Sequence, residues 1–401
     1  MMQYWSVNTQ FGIEEEFLLV AQHTGSPATP TPEQSAGLLA IDAGGCTLSR
    51  EWLSCQIEHG TPVLTEGGTA LEALQAVRGA VAETVTGFGM SAVPLGTSPL
   101  LPDAGSAISA DARYQHLAQL LPAIAADQYI NGMHVHVAIP DREAGVRALN
   151  GLRPWYPVLT ALGANSPLWR GSDSGFASWR SIHYRRWMIT GIPPLFADAA
   201  DHDARVSALL TSDAAEGPAF IGWLGRLSHR HPTIEIRTCD VQLTAADAAA
   251  IALLTRALVT AGMEGALAGP DSEVPGAAAD VTRAGSPWTP ELLDLAHWQA
   301  AQLGLTGRLL DPVTAASVPA VEAAERALTA AQPFFADRQE ERFVRAAIAR
   351  LCSTGGGAGR QRRALARGGV PAVLEDAVRL LTESDPVTEL GSAGSPDRDS
   401  D

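Results

Sequence analysis

The sequence predicts an α+β fold, on three observations. Strand-like stretches are separated by long, uneven intervals, not by the regular helical crossovers of a βαβ series. Four of these stretches alternate an apolar face with a face carrying Glu, His or Arg, as half-buried antiparallel strands do. The last third is alanine-rich and reads as successive helices. With 401 residues, 46% hydrophobic and 18% charged, the chain can bury a large core.

The first strand is "FGIEEEFLLV", residues 11–20. A loop rich in Gly, Pro, Ser and Thr follows over roughly 24–45, then a short strand, "SCQIEHG", at 54–60. "GTALEALQAVRGAVAETV" is an amphipathic helix with Leu71, Leu74, Val81 and Val85 on one face, and Thr69 with Glu72 reads as its capping box. "SAVPLGTSPL" is strand then loop, and "GMHVHVAIP" (132–140) is a strand. The stretch "GVRALNGLRPWYPVLTALGANSP" is helical with a break near Pro154. "PTIEIRTCDVQL" (232–243) is a strand, followed by a helix from about 245 to 262 that Thr244 caps. Thr289 and Pro290 open a helix that ends near Gly304. Further helices are expected over roughly 318–331, 335–352 and 371–383. Residues 386–401 are polar, lack aromatics and are expected to be disordered, leaving 1–385 as a single domain.

The net charge of −16 and the lack of a long basic stripe argue against nucleic acid as a partner. No window holds the ~20 unbroken apolar residues of a membrane span, and "MMQYWSVNTQ" lacks the pattern of a signal peptide. Cys46, Cys55, Cys239 and Cys352 are scattered without a CxxC pair, which predicts free thiols in a reduced, cytoplasmic protein. All 28 basic residues are arginine. A P-loop lysine, a Schiff-base lysine and a lysine nucleophile are therefore excluded, and any phosphate chemistry must rest on metal ions and arginine.

Why does the first strand carry three consecutive glutamates? Side chains alternate, so Glu14 and Glu16 share one face, and Glu15 joins Ile13, Phe17 and Leu19 on the other. Gln56 and Glu58 share a face opposite Ile57; His134 and His136 oppose Met133, Val135 and Val137; Glu235 and Arg237 oppose Ile234 and Ile236. A merely solvated sheet face would mix Thr, Ser, Lys and Gln, whereas these faces carry carboxylates and imidazoles. Like charges two residues apart repel unless a cation lies between them. Glu14 and Glu16 are thus expected to grip a divalent ion, Mg²⁺ or, with imidazole present, Mn²⁺. A second cluster, "NSPLWRGSDSGFASWRSIHYRRW" (165–187), carries Arg170, Arg180, Arg185 and Arg186 among three tryptophans and one histidine, a composition suited to holding carboxylate or phosphoryl oxygens.

Six stretches, "FGIEEEFLLV", "SCQIEHGTPV", "NGMHVHVAIPD", "LGANSPLWRGSDSGFASWR", "PTIEIRTCDVQLT" and "GGGAGRQRRALARGG", occur in the order seen in the glutamate–cysteine ligase type 2 family of bacterial carboxylate–amine ligases, which the chain resembles over about 10–385. The resemblance implies a curved antiparallel sheet forming a cup with outer helices, like the catalytic domain of glutamine synthetase. It implies that ATP phosphorylates a carboxylate, typically the γ-carboxylate of glutamate, and that an amine such as cysteine attacks the acyl phosphate to give an amide. By position, Glu14, Glu16, Glu58, His134 and Glu235 resemble the family's metal-binding and phosphate-side residues, Arg237 the arginine facing the transferring phosphoryl group, and Arg170 a substrate- or phosphate-binding arginine. Arg180 and His136 are expected among the substrate-binding residues, and 165–187 as a closing loop that keeps water from the acyl phosphate. A homo-oligomer, such as a dimer, is implied. Ser98, Leu100, Leu224 and His59 stand where relatives carry other residues, and these changes are expected to line the pocket and alter the choice of amine. Competing readings are a non-catalytic nucleotide- or metabolite-binding member of the fold, a di-metal hydrolase on another fold, and a guanidino phosphotransferase.

Overall fold

In a computed structural model, residues 9–102, 105–212, 217, 220–267 and 287–383 are described. The tail expected over 386–401 lies outside them. The first strand, β1 (Phe11–Ala21), is long, and its alternation places Phe11, Ile13, Phe17 and Leu19 in the core. Around it lie β2 (Thr47–Arg50), β3 (Gln56–Gly60), β4 (Met90–Val93) and β5 (Gly132–Ala138). Short strands β6 (Leu168–Trp169) and β7 (Ser172–Asp173) form a hairpin, and β8 (Ile189–Gly191) runs parallel to β9 (Ile221–Trp223). Strands β10 (Gly225–Leu227) and β11 (Thr233–Asp240) complete a seven-stranded sheet of order β10-β11-β5-β1-β3-β2, with β4 also on β1.

Every pair in that sheet is antiparallel. β1 is its hub: residues 11–15 pair with β5, 14–18 with β3 and 18–21 with β4. The ladder between β5 and β11 shifts register between Ile236 and Cys239, an irregularity of the kind that bends a strand.

The helices are α1 (Pro32–Leu39), α2 (Gly67–Thr86), α3 (Ala112–Leu120), α4 (Pro122–Ala125), α5 (Arg142–Leu152), α6 (Tyr156–Leu162), α7 (Trp179–Tyr184), α8 (Ala199–Leu210), α9 (Ala245–Met263), α10 (Pro290–Leu303), α11 (Ala320–Ala331), α12 (Arg338–Thr354) and α13 (Gly356–Leu381). The apolar faces of β1, β5 and β11 (Ile13, Met133, Val135, Val137, Ile234 and Ile236) pack in one cluster with Leu71 and Leu74 of α2, Leu149 of α5 and Leu253 of α9. α9 is apolar on all sides and almost wholly buried, as a central core helix must be. Its length and apolar character would also suit a membrane span, but here it lies inside the protein.

Several boundaries differ from the sequence reading. α2 begins at Gly67 with Glu66 at its N-cap, so Thr69 and Glu72 lie within its first turns and form no capping box. The box occurs instead in α1, inside the stretch read as loop: Thr31 Oγ1 accepts from the Gln34 N–H, and the Gln34 side chain accepts from the Thr31 N–H. Thr244 caps α9 as expected, accepting from Asp247, and Thr289 caps α10. The glycine- and arginine-rich run forms the first half of α13, which kinks at Gly368 and Gly369; Gly369 has φ of 69°, a left-handed value that favours glycine.

Candidate active site

The face of the sheet turned away from α9 collects the expected acids and imidazoles. The β1–β5 register sets Glu14 opposite His134, the β1–β3 register sets Glu16 opposite Glu58, and the β5–β11 register sets His136 opposite Glu235. Glu14 Oε2 lies 3.2 Å from His134 Nδ1, and Glu14 Oε1 lies 3.3 Å from His136 Nε2. Burial would raise the pKa of Glu14, but the two imidazoles outweigh it and hold the carboxyl well below the usual range. Glu16 accepts a hydrogen bond from the Gly132 N–H at 2.6 Å and lies 3.8 Å from His134 Nε2. Glu58 accepts from Ser49 Oγ at 3.0 Å. Burial, and then the charges of Glu51, Glu14 and Glu16, push the Glu58 carboxyl well above the ordinary carboxylate range.

Glu235 is gripped by two arginines. Arg226 donates through Nε at 2.8 Å and through Nη2 at 3.2 Å, and Arg237 pairs with Oε1. Burial opposes the charge on Glu235, but Arg237 and Arg226 overcome it and keep the group ionised. Arg237 is in turn kept protonated against burial by Glu235 and Tyr184. For His134, burial and then Arg237 lower the pKa despite the nearby acids; for His136, Glu14 overcomes burial and raises it.

Among the described residues, three groups of side chains have ligand atoms within 4.8 Å of one another: Glu14, Glu58 and His134; Glu14, His136 and Glu235; and Glu16, Glu51 and Glu58. Glu14 and Glu58 are shared between groups, so more than one ion can sit side by side. Nε2 of His134 is buried without a hydrogen-bond partner, an orphaned polar atom that a bound cation would satisfy. A set rich in oxygen with one or two imidazoles suits Mg²⁺ or Mn²⁺.

The third glutamate of the opening run has a different task. Glu15 is fully buried on the core face, where Arg78 of α2 holds it through Nε at 3.0 Å and Nη2 at 2.5 Å, and His59 Nε2 lies 3.2 Å away. His59 therefore lines the core and not the pocket, and Leu224 is buried in the same core cluster as Ile236. For both, the expectation of a pocket-lining role is corrected: the β1–β3 register sets His59 beside Glu15 on the core face, and Leu224, between β9 and β10, packs into the core.

The arginines of 165–187 separate. Arg180, on α7, is buried and reaches the sheet: its Nη2 donates to the Arg237 carbonyl at 3.3 Å, and its Nη1 lies 3.8 Å from Asp240. Asp240 also accepts from Ser166 and Asn165 at 2.7 Å each and from Ser178 at 2.9 Å. Arg185 pairs with Asp294 of α10 at 2.5 Å. Arg170 and Arg186 both pair with Asp127, at 3.5 and 3.2 Å. Arg170 has φ of 51° at the β6–β7 turn, and its side chain is 67% exposed. The segment is not a free loop: Ala177 and Ser178 donate to the Ala301 carbonyl, and Arg362 of α13 grips Asp173. Glu51, Arg226, Tyr184, Asp240 and Asp127 were not singled out in the sequence. Glu51 lies in an irregular stretch and Arg226 on a three-residue strand, neither long enough to show alternation.

The family profile described as "Glutamate-cysteine ligase family 2 (GCS2)" matches residues 10–384. "Putative glutamate--cysteine ligase 2-1" of Nocardia farcinica is 35% identical over 387 residues, 96% of this chain and 94% of that protein. A relative numbered 2-3, from Mycolicibacterium smegmatis, is 36% identical over 363 residues, 90% of this chain and 95% of its own. Among solved structures, a bifunctional glutathione synthetase from Pasteurella multocida superposes with a TM-score of 0.65 at 14% identity, over 93% of this chain and 52% of that one. This chain thus spans about half of that protein. A glutamate–cysteine ligase from Francisella tularensis in complex with AMP gives 0.58 at 11% identity, over 93% of this chain and 88% of that one. At these identities the two structures speak to the fold, and the fold is the antiparallel sheet with outer helices expected of a glutamine synthetase-type ligase.

Proposed function

The chain belongs to the glutamate–cysteine ligase family 2 and is a carboxylate–amine ligase; on that premise we propose that it couples ATP cleavage to formation of a γ-glutamyl amide, from glutamate and an amine such as cysteine or another amino acid, through an acyl phosphate. The observation that carries this reading is the convergence of Glu14, Glu58, His134, His136 and Glu235 on one sheet face beside Arg237.

In this reading Glu14, Glu16, Glu51, Glu58, His134, His136 and Glu235 hold divalent ions, Mg²⁺ or Mn²⁺. Bound there, the ions neutralise the phosphate oxygens of ATP. A substrate carboxylate oxygen attacks the γ-phosphorus and ADP leaves; the amine nitrogen then attacks the acyl carbon and inorganic phosphate leaves. Arg237, held in place by Glu235, points its guanidinium at the charge that spreads over the phosphoryl oxygens in the first step. Arg226 fixes Glu235 from the other side. Arg180 reaches the same region through the Arg237 carbonyl and is proposed to bind the substrate carboxylate, with His136 at the opposite edge. Arg170 is proposed to meet substrate from the exposed β6–β7 turn. Residues 1–385 are taken as one catalytic domain. A cytoplasmic setting is in keeping with four free cysteines, three of them buried, and a dimer is the proposed assembly.

The test is a phosphate-release screen with ATP, Mg²⁺, glutamate and a panel of amines, with mass spectrometry for the amide. Release that needs both glutamate and one amine supports the proposal. Hydrolysis independent of ATP, or reversible phosphorylation of a guanidino compound without amide, replaces it. A non-catalytic role is disfavoured because Glu14, Glu16, Glu58 and Glu235 each bring a ligand atom within 4.8 Å of other acids or imidazoles.

A further inference from the structure

Arg180 and Tyr184 stand four residues apart on α7, a spacing that stacks side chains on one side of a helix. The Arg180 guanidinium carbon lies 5.9 Å from the centre of the Tyr184 ring, a cation–π distance. Tyr184 also meets the second arginine of the site. Burial works against the charge on Arg237, and Glu235 and then the Tyr184 phenol keep it protonated. Arg180 and Arg237 touch each other as well, since Arg180 Nη2 donates to the Arg237 carbonyl at 3.3 Å. One aromatic side chain therefore lies against both guanidinium groups.

Two glycines leave the room for this arrangement. A Cβ on Gly132, at the start of β5, would stand 2.3 Å from Arg180 Nη2 and 2.9 Å from its guanidinium carbon. Gly132 is also the residue whose N–H donates to Glu16, so Arg180 packs on the backbone that holds a carboxylate of the metal face. A Cβ on Gly222 of β9 would stand 2.7 Å from Tyr184 Oη. Contacts that short are not tolerated in a packed interior, so the hydroxyl keeps its place because residue 222 has no side chain. Nε of Arg180 and Nε of Arg237 are buried without a hydrogen-bond partner, which leaves each guanidinium an unspent donor.

We propose that Tyr184 is a positioning residue that sets the two arginines relative to each other: its ring places Arg180 for the substrate carboxylate, and its hydroxyl places Arg237 for the phosphoryl group. This rests on the ligase reading above, in which a carboxylate oxygen attacks the γ-phosphorus. The attacking oxygen and the phosphorus must be held close and in line. Two cations mounted independently would leave that distance loose, and a planar ring shared between them fixes it.

The test separates ring from hydroxyl by steady-state kinetics with ATP, Mg²⁺, glutamate and hydroxylamine. Hydroxylamine is a small amine whose nitrogen attacks the acyl carbon and loses a proton as phosphate leaves, giving a hydroxamate. Tyr184→Phe keeps the ring, and kcat is expected to fall about 10-fold with the KM for glutamate within about 2-fold of wild type. Tyr184→Leu removes ring and hydroxyl, and the KM for glutamate is expected to rise about 10-fold in addition. A merely structural role would not split kcat from KM between the two variants, and melting temperatures report any loosening of the fold. Wild-type kcat in Tyr184→Phe, or an equal KM for glutamate in the two variants, overturns the proposal. Crystal structures of wild type and Tyr184→Leu decide the same point without turnover. Arg180 is expected to leave hydrogen-bond distance of the Arg237 carbonyl in the variant, and two unmoved arginines overturn the proposal. A wild type that makes no hydroxamate counts against the ligase reading alone, because the structural comparison still decides the role of Tyr184.

Discussion

Glu15 lies between two carboxylates of the candidate metal face yet points the opposite way, closed in a bidentate pair with Arg78 of α2 at 3.0 and 2.5 Å. Arg78 also donates to the Gln242 and Leu243 carbonyls, at 2.9 and 3.2 Å, so one guanidinium ties β1 to the chain entering α9. Arg78→Ala leaves a buried carboxylate without its cation and is expected to cost about 3–5 kcal/mol. Urea unfolding measures this; a loss below about 1 kcal/mol would mean that the pair is dispensable.

The same pair sets a pH dependence. Burial would raise the Glu15 pKa, but Arg78 and His59 bring it from the ordinary 4.5 down to about 2. A folded-state value below the unfolded one gives stability that is complete above about 4.5 and is lost as pH falls toward 2, here on the order of 3 kcal/mol. The stability advantage of wild type over Glu15→Gln should therefore shrink between those limits when urea midpoints are compared across pH. A constant difference would refute it.

On the opposite face, Glu14→Gln and Glu235→Gln are expected to lower ADP formation by about 100-fold or more while the circular dichroism spectrum and melting temperature stay close to wild type. Full turnover in either variant would remove these residues from the reaction.

Arg237→Lys tests whether shape or charge matters. Arg237 is paired with Glu235 and braced by Tyr184, and an ammonium cannot reproduce a planar fork. The expected result is a fall in kcat of about 10²–10³-fold with a smaller change in the KM for ATP. Kinetics near wild type would make Arg237 a structural residue.

Cys55 and Cys239 are buried, and burial pushes their thiols up to about 11 and about 12. Neither is a ready nucleophile at neutral pH. Treatment of native protein with iodoacetamide should leave both unmodified by mass spectrometry and leave activity intact; rapid labelling of Cys239 with loss of turnover would contradict this.

The sequence made the strands that carry the site legible because each is long enough to show two-residue alternation: Glu14 and Glu16, His134 and His136, Glu235 and Arg237 all fall on the face their spacing assigns. What alternation cannot show is which side chains arrive from elsewhere. Arg226 reaches Glu235 only because β10 pairs with β11, and Asp240 meets Arg180 only because α7 packs at the end of that strand. The stretch 24–45 was hidden for another reason: its Gly, Pro, Ser and Thr content masks α1, whose capping box lies in "TPEQ". In α13, tertiary packing of Ala364, Val373 and Ala377 against β4 holds a glycine-rich run helical.

The three-way pairing of β1 ties the reaction to the ladder itself. Adding or deleting one residue in 11–18 would turn Glu14 and Glu16 into the core and swing Ile13 and Phe17 out onto the face that carries the acids and imidazoles, disabling fold and site in a single event. Evolution and engineers alike are thereby steered away from this strand. New amine preferences should be sought in the connections around it, where length can change without moving an acid.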